Sequence, residues 1–123
     1  MKTLALLLSV LAFSNANATD RVPVTIGSNG PEIDACPSLG ELTKQAVLVA
    51  GPSSHFQRVT ELKGGSMVHV CGTTKNGKWT SVVVAMDGVL DCKVSSPVPQ
   101  PQFYQGPCIS GWVLTSAVRI IAG

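Results

Sequence analysis

Four cysteines, Cys36, Cys71, Cys92 and Cys108, carry the chemistry most readily read from this chain. An even count in a small exported domain reads as two disulfides. A metal site would instead want a close Cys-x-x-Cys pair or histidines at ligand spacing. The shortest step between cysteines is the 16 positions from Cys92 to Cys108, and His55 and His69 stand beside no cysteine pair. No metal and no cofactor is expected. Four cysteines allow three pairings. The preferred one closes the local loop Cys92–Cys108 and leaves Cys36–Cys71. A loop of about 15 residues is worth roughly 3 kcal/mol in the chain-entropy view, and a longer loop somewhat more.

The remaining reactive side chains do not assemble a catalytic set. His55 is a possible general base, but it needs a nucleophile and an orienting partner. Ser53 and Ser54 lie in a Gly-Pro-Ser-Ser turn, where local side-chain–backbone bonds are the ordinary use of serine. His69 falls on the outward positions of an alternating segment. Asp87 is accounted for by an Asp-Gly turn, so it forms no carboxylate pair with Asp91. With all cysteines paired, no thiol nucleophile remains. The expectation is a protein that binds and does not catalyse. Its candidate binding residues are Trp79, Phe103, Tyr104 and Trp112, with His55 and Phe56 on an earlier loop.

The segments around these residues set the compartment. Residues 1–18 read as a secretory signal peptide: Lys2, an apolar run from Leu4 to Phe13, then Ala16-Asn17-Ala18 as a cleavage site. That run is too short to cross a bilayer core of about 30 Å as a helix. Removal of 18 of the 123 residues leaves 105, one domain by size. Eight basic and seven acidic residues remain, with no clustered basic face in the sequence, so no nucleic-acid partner is expected. No second long apolar segment follows, so no membrane insertion is expected after cleavage. The destination reads as periplasmic or secreted.

The mature sequence is rich in strand signals. Residues 19–44 read as an N-terminal arm tied by Cys36, with Val-Pro-Val-Thr-Ile able to pair at a sheet edge and Pro23 opposing a central strand. Apolar or alternating runs at 45–50, 56–62 and 66–71 follow, separated by Gly-Pro-Ser-Ser and Lys-Gly-Gly. Asn76-Gly77 predicts a hairpin with a type I′ turn. Residues 79–86, WTSVVVAM, predict a central strand, with 89–94 as its returning partner. The strands at 109–114 and 118–121 flank a short Thr115-Ser116-Ala117 turn. Between Cys92 and Cys108 lies Pro97-Val98-Pro99-Gln100-Pro101, which favours an extended polyproline course. Five or more short strands in one small domain imply an all-β fold.

The ordered pieces AVLVAGPSSHF, VTELKGGSMVHVC, NGKWTSVVV and SGWVLTSAVRI resemble the bacterial SH3-like (SH3b) domain family over 45–123. The resemblance implies a small barrel with the 92–108 segment as a disulfide-closed insertion. It implies a binding role towards a cell-envelope component, either a peptidoglycan fragment or a protein. Aromatics presented between loops would carry that role. The alternative from a different class is a small secreted or periplasmic inhibitor, or immunity-type protein, acting through the 92–108 loop. One further expectation is that the proline run lies across the barrel's own aromatic groove.

Overall fold

In the computed structural model, residues 20–86, 88–89 and 91–123 are described. The expected signal peptide, and Asp87 of the Asp-Gly turn, lie outside them. Among these residues nine strands follow in order: β1 (Thr25–Ile26), β2 (Ser38–Leu42), β3 (Ala46–Val49), β4 (Arg58–Leu62), β5 (Met67–Thr73), β6 (Trp79–Val84), β7 (Gln102–Phe103), β8 (Ile109–Leu114) and β9 (Val118–Ala122). The only helical turn among the described residues is 3₁₀, at Thr115–Ala117. The fold is all-β, with an N-terminal arm and a disulfide-closed insertion.

Seven strands form one antiparallel sheet in the order β4-β3-β8-β6-β5-β2-β9. β4 and β5 are four places apart in that order, about 19 Å at a strand spacing near 4.8 Å. Yet Lys63 to Ser66 joins them as a turn, with the Ser66 N–H donating to the Lys63 carbonyl at 3.1 Å. A flat sheet cannot accommodate that link, so the sheet curls. Its edges β4 and β9 are not paired with each other, and the sheet is not closed into a barrel. The concave side encloses Leu42, Leu48, Leu62, Val68, Val82 and Val113, with Ala117 of the 3₁₀ turn plugging one end. Each such apolar side chain contributes about 1.5–3 kcal/mol on burial.

A second core lies on the other side of the sheet. β6 explains why: Val82 and Val84 enter the first core, while Val83 between them enters the second. Alternate side chains of a strand point to opposite faces, so the uninterrupted Val82-Val83-Val84 run is that of a strand buried on both faces. Val24, Ile26, Ala35 and Val94 cover Val83, together with all four cysteines. The disulfides are Cys36–Cys71 and Cys92–Cys108, with Cα separations of 4.1 and 5.4 Å.

Three sequence expectations change. Ser38–Leu42, counted in the arm, is a strand of the main sheet between β5 and β9. The described residues of 89–94 form no returning strand. Asp91 Oδ1 accepts from the Lys93 N–H at 2.8 Å, and Lys93 takes a φ of 67°, which breaks an extended course. β6 pairs instead with β5 and β8. At Asn76-Gly77 only Gly77 has positive φ (75°), so the turn is not type I′. It is closed by the Gly77 N–H on the Thr74 carbonyl at 2.8 Å. The pairing expected of the arm is made with the insertion, β1 to β7, in a two-stranded sheet of their own.

Candidate functional site

The structure separates the candidate residues into two groups. Tyr104 and Phe103 belong to the cap formed by the arm and the insertion, and Trp112, on β8 of the main sheet, is bonded to that arm. The Tyr104 hydroxyl donates to the Cys92 carbonyl at 2.8 Å and accepts from the Cys108 N–H at 3.0 Å. It thus links the two ends of the Cys92–Cys108 loop a second time. Burial pushes the phenol above its ordinary value, against the opposing pull of the Cys108 N–H. Trp112 is half-buried and donates its indole Nε1–H to the Val22 carbonyl at 2.9 Å, which fastens the arm to β8. Phe103 is 60 % exposed on β7. Tyr104 and Trp112 therefore carry packing roles, and Phe103 alone is offered to solvent.

Trp79 and His55 border a groove at one end of the curled sheet. Trp79 on β6 stands in register with Leu114 on β8. This pair is shared by two adjoining hollows of about 540 and 470 Å³. Ala46, Val47 and Val49 of β3 line the first, with Lys44 and Arg58 beside them. Pro52, Ser53 and His55 line the second, with Asn76 and Lys78 opposite. None of Pro97 to Pro101 lines either hollow, so the proline run does not cross this groove. Val98 packs on the second core instead.

The groove's borders are fixed by local hydrogen bonds. The Trp79 N–H donates to Thr74 Oγ1 (3.1 Å), whose hydroxyl donates to Asn76 Oδ1 (2.7 Å), which also accepts the Lys78 N–H (2.9 Å). The Lys78 carbonyl accepts from the Thr115 N–H at 2.9 Å. Across the groove, Ser53 Oγ accepts the His55 N–H at 3.1 Å, the local serine bond expected of that turn. Arg58 is paired with Glu61 at 2.7 Å. Lys44 and Lys78 have no carboxylate within ion-pair distance among the described residues.

By sequence Lys78 reads only as a solvated residue flanking a turn, and Lys44, Arg58 and Leu114 carry no signal of a site. They come from four separate segments, and only the sheet register assembles them. The Thr-x-Asn spacing before Asn76-Gly77 was a usable signal for the fixed turn. Among the described residues no group of three or more His, Cys, Asp or Glu side chains is placed to hold a metal. No described helix is long and apolar enough to cross a membrane. No protein-family model, curated protein or solved structure matches the chain.

Proposed function

We propose that the chain is an exported, non-catalytic binding module of the bacterial SH3-like type, periplasmic or secreted, that recognises a cell-envelope component. The observation that carries this reading is the groove at Trp79 and Leu114. It offers an aromatic and an aliphatic surface between loops whose backbones are already fixed, so little ordering is lost on binding. The two disulfides fit an oxidising environment of the extracellular type. A peptidoglycan fragment or an envelope protein is the partner class.

Sedimentation with purified cell wall, beside pull-down from envelope extract, tests the reading. The mature protein is expected in the cell-wall pellet or with one stoichiometric envelope partner, and Trp79→Ala is expected to lose that association while keeping its circular dichroism. Association that survives in Trp79→Ala at full strength would remove the groove from the account.

The exposure of Phe103 favours a second reading, an inhibitor or immunity-type protein acting through the 92–108 loop. The loop is cinched by Cys92–Cys108, latched by Tyr104 and paired to β1. Under this reading Phe103→Ala abolishes a one-to-one complex with an enzyme, and Trp79→Ala does not.

A further inference from the structure

We infer that the Trp79 groove selects short peptides carrying free carboxylates on either side of an apolar stretch, with Lys44 and Lys78 as the residues that read the charge. This rests on the binding reading above and narrows its ligand.

The first ground is charge. The linings of the two hollows contain Lys44, Arg58 and Lys78 and no aspartate or glutamate. The mature sequence has seven acidic residues against eight basic ones, so a groove with three cations and no carboxylate is not a sample of the average surface. Arg58 is already matched by Glu61, whose other oxygen accepts from Gln45 Nε2. The charge left to answer is that of Lys44 in one hollow and Lys78 in the other.

The second ground is shape. The hollows adjoin along the Trp79–Leu114 pair, and Lys44 lines one while Lys78 lines the other. An extended chain laid across that pair sets apolar side chains on the indole and on Leu114, and anionic groups towards each lysine. Each hollow has the size of a small-ligand site. Two lysines in separate hollows do not form the clustered basic face that a phosphate backbone needs. The apolar pair and the two lysines therefore match a peptide better than a nucleic acid.

The chain's two tryptophans make the test direct. Trp79 lines the groove, whereas Trp112, one register pair further along on β8, lines neither hollow and has its indole N–H committed to Val22. The probes are acetyl-Glu-Leu-Leu-Glu-amide and its neutral counterpart acetyl-Gln-Leu-Leu-Gln-amide, titrated into the mature disulfide-bonded protein and followed by the indole N–H resonances. The acidic peptide is expected to shift Trp79 and leave Trp112 in place. It is expected to bind about tenfold more tightly than the neutral one, the size of two exposed ion pairs. The difference should shrink in 0.5 M salt and vanish in the Lys44→Gln/Lys78→Gln variant. Equal binding of the two peptides, no shift at Trp79, or equal displacement by inorganic phosphate would each overturn the inference. Cell-wall sedimentation of wild type and the double variant separates the two levels. If both sediment and neither peptide binds, envelope binding stands and charge reading fails. If the acidic peptide binds and nothing in the envelope does, the reverse holds.

Discussion

The Tyr104 hydroxyl joins by hydrogen bonds the same two backbones that Cys92–Cys108 joins covalently. Gly106 permits this, because a Cβ there would meet the Tyr104 oxygen at 2.5 Å. Tyr104→Phe keeps the ring and removes both bonds. At about 1 kcal/mol per net hydrogen bond, the loss is expected to be about 1–2 kcal/mol in urea unfolding, with an unchanged slope. The raised phenol adds a pH signature. The ordinary value is 10.0, and burial makes the folded state hold the proton more tightly than the unfolded chain does. The contribution is complete below about pH 10 and is lost as the pH rises through the higher folded value. The difference in stability between wild type and Tyr104→Phe should thus be flat through neutral pH and narrow on the alkaline side. A difference that widens there would contradict this assignment of the proton.

Most strands of the main sheet were legible, and the exceptions have physical causes. β3, β5, β6 and β8 show apolar alternation or buried runs that report their buried faces, whereas β4 and β9 are legible by composition although Val59, Ile120 and Ile121 stay exposed. β2, SLGEL, has no β-branched residue and carries Gly40 at its centre. That glycine is a packing device, since a Cβ there would meet Val118 Cγ1 at 2.8 Å and Val70 Cγ2 at 3.2 Å. The side chains that fill its place come from β9 and β5, so the signal for this strand is written elsewhere in the chain. The 89–94 segment has a strand's composition, and the Asp91–Lys93 turn overrides it. Of the groove, Trp79 and His55 were visible as residue types; their neighbours depend on the β6–β8 register. On its other side β8 packs against β3, and Gly111 of β8 guards that approach. A Cβ there would meet the Val49 carbonyl oxygen at 2.7 Å and Leu48 Cγ at 2.9 Å. Gly111→Ala is expected to cost about 1–3 kcal/mol in urea unfolding, because backbone yields less readily than a side-chain tip. A neutral outcome would mean that β3 and β8 can separate without loss.

At the scale of the molecule, one sheet serves two cores that differ in what holds them. The first is apolar burial enclosed by the curl. The second is a cap in which the arm and the insertion pair with each other and both disulfides tie them down. In the chain-entropy view the bridges are worth about 3 kcal/mol for Cys92–Cys108 and about 4 kcal/mol for Cys36–Cys71. Against a total of about 5–15 kcal/mol for a domain, the cap is the part most exposed to reduction. No residue of the chain before β2 and none of the insertion lines the groove, so the two ends should respond separately. Replacing Cys92 and Cys108 by serine is therefore expected to cost about 3 kcal/mol and to open the cap locally. Hydrogen exchange would read this at the Ala35, Cys36 and Tyr104 amides, which donate to Ser96, Val94 and Val24 across the cap. Those amides should lose protection while the amides of Val82 and Val113 in the main sheet keep theirs. The Trp112 indole resonance should move as its bond to Val22 loosens, and that of Trp79 should stay. Equal loss of protection in cap and sheet would show instead that the two cores open as one unit, with the groove dependent on a staple it does not touch.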